Sequence, residues 1–192
     1  MRKAFEEIID SYEKLFLEED MDIIVNETGN SSFVENYNYN HGASKVVIDF
    51  DDCVLKIPIS GCWIDEPVSF DNQNYCIREV ALYRKAKKEG VADFFLKSRL
   101  INNFFEIQEK GEVECVPIPA GTLEEIYNCF SNYASQTLSS TVMTILKLYY
   151  SQEEIDKFCD FIEKYEINDL SYMNMCMKNG KPVFMDFCGF SD

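Results

Sequence analysis

The chain has 192 residues, of which 46% are hydrophobic, and a formal net charge of −16. That is enough apolar material for one core or for two small lobes sharing an interface, and 15 Phe with 11 Tyr argue against disorder. So acidic a chain repels nucleic acid and anionic membranes unless one face is strongly basic, so neither is expected as a partner.

The basic residues are scattered. Their one modest cluster, Arg84, Lys85, Lys87 and Lys88, reads as a solvated helix face. The N-terminus turns acidic by Glu6 and Glu7 and carries no apolar run, so no signal peptide or membrane span is expected. The eight cysteines show no C-x-x-C spacing, and His41 is the lone histidine. Reduced thiols in a cytoplasmic protein are the expectation.

In chain order, residues 1–20 contain an amphipathic helix, with Phe5, Ile8, Ile9, Tyr12, Leu15 and Phe16 on one stripe. Residues 21–25 have strand character. Residues 45–50 and 53–57 are β-rich runs around Asp51-Asp52 and read as a hairpin ended by Pro58. A helix is expected over 74–89, with Ile77, Val80 and Ala81 apolar, Cys76, Tyr83 and Ala86 further round, and Gly90 as its cap. Two strands follow, over 94–101 and 104–108. Thr122 and Ser151 each open a capping box, the second ahead of Ile155, Phe158, Cys159 and Ile162. Last, 175–177 and 182–185 bracket a turn containing Asn179-Gly180, a strong hairpin signal. Strands and helices segregate, which places the chain in the α+β class.

Near the C-terminus, Asp169 and Asn174 have the spacing D-x-x-x-x-N, and after the hairpin comes Asp186-Phe187-Cys188-Gly189. Upstream, Val54-Leu55-Lys56-Ile57 lies on an expected strand, followed by a helix bearing Glu79. In this order and context the sequence resembles the protein kinase-like superfamily, over roughly residues 41–190. Its D-F-x-G-F form looks nearer to the aminoglycoside and choline phosphotransferases than to regulated protein kinases.

The resemblance implies a bilobal fold: a β-rich N-lobe over 21–108 with one key helix, and a small, truncated helical C-lobe over 109–192. It implies ATP and magnesium as cofactors. Lys56 would hold the phosphates and Glu79 would orient Lys56. Asp169 would face the acceptor hydroxyl, and Asn174 and Asp186 would hold magnesium through hard oxygen donors. Gly42 would stand in the phosphate loop, and Glu109 and Lys110 would lie by the adenine at the hinge.

Three features depart from the family. Gly42 is the only glycine where three are expected. Ile167-Asn168 stands where the family has His-Arg, and Cys188 replaces a glycine. Six residues follow Asp186, so a substrate platform would be missing or supplied by an unknown substrate or protein partner. Three functions stay open: an ATP-dependent phosphotransferase, a nucleotide-binding pseudokinase acting as an interaction module, and an acidic mimic directed at a basic partner.

Overall fold

The computed structural model describes residues 39–41, 45–50, 52–58, 75–101, 105–117, 140–167 and 170–187. The expected N-terminal helix, the strand at 21–25 and the capping box at Thr122 lie outside them. Mixed α and β structure is present, in two antiparallel sheets and three α-helices among the described residues. No helix among those residues is long and apolar enough to cross a membrane. The chain divides into two compact units, one containing residues 1–78 and 99–109, the other 79–98 and 110–192.

The first unit is built on a sheet ordered β1-β2-β3-β5-β4, from β1 (Tyr39–His41), β2 (Lys45–Asp49), β3 (Cys53–Pro58), β4 (Ser98–Ile101) and β5 (Phe105–Glu109). The expected hairpin is β2–β3, with Asp49 opposite Val54 and the Phe50 amide donating to the Cys53 carbonyl at 2.9 Å. The β-branched run explains its strength, because alternate residues share a face. Val46, Ile48, Leu55, Ile57 and Phe105 are buried on one face, each worth about 1.5–3 kcal/mol by removal from water. Helix α1 (Tyr75–Glu89) begins in this unit, where the Cys76 thiol donates to the Lys56 carbonyl at 3.5 Å.

The second unit starts within α1. Gly90, at φ +76°, ends the helix in the left-handed conformation, and the Val91 amide closes back on the Ala86 carbonyl at 3.0 Å. Lys87 and Lys88 sit in the last turn, where cations complement the helix dipole. The buried stripe of α1 is Tyr75, Cys76, Glu79, Val80, Tyr83 and Ala86, whereas Ala81 is exposed and Ile77 half-buried, contrary to the stripe expected from sequence.

The strand expected from residue 94 starts later. Ala92–Phe94 form a 3-10 turn, and β4 begins only at Ser98. The reason is packing. Phe94 and Phe95 are adjacent and both buried, which strand alternation does not favour on a one-sided surface. Phe94 stacks on Tyr150 and Phe158, each at 4.1 Å between centroids, while Phe95 meets Phe187 at 4.4 Å. Around them pack α2 (Ser140–Tyr149) and α3 (Gln152–Lys164). The box expected at Ser151 is complete: its hydroxyl accepts from the Glu154 amide at 3.3 Å and its own amide donates to the Glu154 carboxylate at 2.7 Å. The second sheet is the expected hairpin, β6 (Met175–Lys178) and β7 (Lys181–Phe184), turned by Asn179 and Gly180 at φ 52° and 77°.

Tyr150 ties this unit together. Its buried hydroxyl lies 2.9 Å from the Asp93 carbonyl and 2.8 Å from that of Pro182, and its one proton serves both. Burial, then the negative charges of Asp93 and Glu154, push the phenol well above its ordinary value of 10.0. A raised folded-state pKa gives stability that is complete below pH 10 and lost as the pH climbs through the folded value. Stability measured by urea unfolding should therefore fall more steeply above pH 10 in the wild type than in Tyr150→Phe. At neutral pH that variant should lose about 1 kcal/mol.

Candidate functional site

Cross-strand pairing decides which side chains share a face, because residues directly opposite in an antiparallel pair point the same way. Val47, Lys56 and Glu106 form one row across β2, β3 and β5, and Asp49, Val54 and Gln108 form the next. Lys45, opposite Pro58, extends the same face. This face is polar yet covered: Lys45 is 3% exposed, Lys56 4%, Glu106 0% and Gln108 1%. The Lys56 ammonium lies 3.8 Å from Glu106 Oε1, and Gln108 Nε2 donates to the same oxygen at 3.3 Å. A buried ammonium requires such compensation, since the desolvation cost is several kcal/mol per ion. Half-buried Val47 and Val54 add apolar surface beside the charges.

Glu79, the expected orienting glutamate, is fully buried in α1. Glu109 ends β5 opposite Cys53, so its side chain lies on the face away from Lys56. The Lys110 carbonyl accepts a hydrogen bond from Lys178 Nζ at 2.5 Å. Gly111 comes next, where an added Cβ would run into the Cys176 thiol, so only glycine fits this approach to β6. The neighbouring Glu112 exchanges two backbone hydrogen bonds with Met177, at 2.8 and 2.9 Å.

The C-terminal motif residues come together around the second sheet. Asn174 closes a 3-10 turn, its amide donating to the Ser171 carbonyl at 3.1 Å. Its carbonyl accepts from the Met185 amide at 2.8 Å, which puts Asn174 beside the segment that carries Asp186. Both side chains are half-buried. Among the described residues no cluster of three or more His, Cys, Asp or Glu is gathered for a metal. The donor chemistry of Asn174 and Asp186, one amide oxygen and one carboxylate, nevertheless suits magnesium, which binds through one or two protein oxygens plus phosphate and water. Gly42 and Asp169 lie outside the described residues.

Sequence reasoning missed Glu106, Gln108 and Lys45. The alternation of Phe105 and Ile107 with Glu106 and Gln108 was visible, but only register reveals that the polar set meets Lys56. No family model matches the chain, and a search of the curated proteins finds no match.

If the Lys56–Glu106 pair is an energetic unit, breaking it from one side strands a buried charge. Glu106→Leu alone should cost about 3–5 kcal/mol. The double variant Lys56→Met, Glu106→Leu should recover most of that loss. Urea unfolding of the four proteins in this cycle measures the coupling, and a value near zero would show that the two charges act independently.

Proposed function

We propose that this chain binds a magnesium–nucleoside triphosphate, ATP being the expected one, and that the bound nucleotide serves phosphoryl transfer to a hydroxyl acceptor. The observation that carries the reading is the backbone hydrogen bond from Met185 to Asn174. It draws together two halves of a motif, D-x-x-x-x-N and D-F, whose oxygen donors stand twelve positions apart at Asn174 and Asp186. Independent support comes from Lys56, buried in a central strand beside a carboxylate.

The residue roles follow from charge. Lys56 offers a cation to the phosphate chain, and Glu79 is the orienting carboxylate of the family pattern. Asn174 and Asp186 would hold magnesium, which when bound neutralises phosphate charge and fixes the chain's geometry. Asp169 would take the proton of the acceptor hydroxyl. Glu109 and Lys110 would lie near the base, as the resemblance implies. Phosphoryl transfer is chiefly positioning and charge neutralisation, so a site with these few groups suffices.

A second reading, nucleotide binding without turnover, is favoured by two sequence facts. Gly42 is the single glycine of the phosphate loop, and Ile167-Asn168 replaces the His-Arg pair before Asp169.

Calorimetry with nucleotide at several magnesium concentrations tests the binding. Asp186→Ala should nearly abolish the magnesium-dependent part and Asn174→Ala should weaken it, because one removes a charge and the other a neutral dipole. Wild-type behaviour of Asp186→Ala would remove that residue from the site. Turnover separates the two readings. Asp169→Asn should leave nucleotide affinity near wild type and lower phosphate release or self-phosphorylation by about 10²–10⁴. Equal trace turnover in both proteins would favour the binding module.

A further inference from the structure

A lysine ends in a compact charge on a flexible stem, so a phosphate-binding lysine is effective only where something holds its ammonium in place. The family pattern gives that duty to a helix glutamate, Glu79. The sheet supplies a second carboxylate. Lys56 in β3 and Glu106 in β5 are direct partners in the antiparallel ladder, so their side chains leave the sheet on the same face. The ammonium lies 3.8 Å from Glu106 Oε1, and the two side chains are 5% and 0% exposed. A carboxylate so deep is little screened by water or salt, and it acts on the ammonium more strongly than a surface partner would.

The carboxylate is itself fixed. Gln108 stands two positions along β5, hence on the same face, and its Nε2 donates to the same Oε1 at 3.3 Å. Amide donor, carboxylate and ammonium thus follow one another across two paired strands, and all three residues are buried. Their spacing is set by the β3–β5 register. Groups on rigid elements, locked by neighbouring hydrogen bonds, are held more precisely than groups on loops. Stability alone does not account for the arrangement, because well-packed apolar residues in place of a buried ion pair often serve a fold as well or better.

We infer that Glu106 is a positioning residue for Lys56, with Gln108 fixing its carboxylate, so that the sheet itself presents the ammonium to the phosphates of a bound nucleotide. This rests on the nucleotide reading above. Glu106 acts through Lys56 and touches no ligand. Two consequences separate this role from a purely structural one. Ligands with phosphates depend on Glu106 and the nucleoside does not, and the dependence disappears once the Lys56 ammonium is gone.

The test is calorimetry on the full chain with ATP and ADP, each with magnesium, and with adenosine. Glu106→Gln keeps the shape and removes the charge. It should weaken ATP and ADP binding by about 10–100-fold, the range for losing an interaction with a charged group. Adenosine binding should change less than about twofold, within ordinary variation for a group that makes no contact. The double variant Lys56→Met, Glu106→Gln, in which neither charge is stranded, should bind ATP no more weakly than Lys56→Met alone. Should Glu106→Gln fail to fold, Gln108→Leu carries the comparison: it leaves both charges and should weaken ATP binding by about 2–10-fold, with adenosine again unchanged. An ATP affinity unchanged or tighter in folded Glu106→Gln, an equal loss for ATP and adenosine, or an equal loss with and without Lys56 would overturn the assignment while leaving the nucleotide site intact. A folded wild type that binds none of the three ligands would overturn the nucleotide reading, and this assignment with it.

Discussion

The first unit is organised around a charge pair that cannot be exposed and cannot be slid. Lys56 and Glu106 face each other across β3 and β5 with almost no exposure. The opposite face of the same strands carries Leu55, Ile57 and Phe105. A one-residue slip of β3 against β5 would turn the ammonium toward that apolar set and leave the carboxylate uncompensated, at a cost of several kcal/mol. The pair therefore fixes register as well as charge. It also places one cation at a defined point in a sheet, where the strand backbone rather than a loop sets its position.

Local rules made the punctuation of the fold legible. Gly90 ends α1 because φ near +76° strains any residue with a Cβ. Ser151 and Glu154 cap α3, and Asn179-Gly180 turns β6 into β7, each for a reason contained within four residues. The elements that were misread depend on distant partners. Phe94 and Phe95 have strand propensity, but Tyr150 and Phe158 on one side and Phe187 on the other claim both rings at once. In α1, Ala81 suits either a core or a surface, and only packing turns it outward. Tertiary contacts override propensity in both places.

The candidate site was legible in the same uneven way. Lys56, Glu79, Asn174 and Asp186 stood out through their order along the chain, and Asn174 and Asp186 fall on either side of the hairpin as the sequence order requires. Glu106 and Lys45 did not stand out, because on a strand covered on both faces the alternation of apolar and polar residues no longer marks an inside and an outside. Polar residues on such a strand look like its solvent face until pairing shows what they meet. Buried charges on doubly covered strands are thus the functional candidates that a single sequence hides best.

How firmly Asp186 is held follows from its neighbours rather than from its own contacts. Phe184 and Phe187, two before and one after it, are both fully buried. Phe184 stacks against Phe158 of α3 at 5.7 Å, and Phe187 packs on Phe95. Between these anchors, the Met185 amide is tied to Asn174. Three fixed points in four residues leave the Asp186 backbone little freedom, so most of the ordering entropy that a loop carboxylate would lose on binding a cation is already spent in folding. The aromatic core of the second unit thereby fixes the backbone on which Asp186 sits. It holds the segment that carries Asp186 against Asn174 through the Met185 amide, and a substitution deep in that core, at Phe158 or Phe95, would loosen that segment.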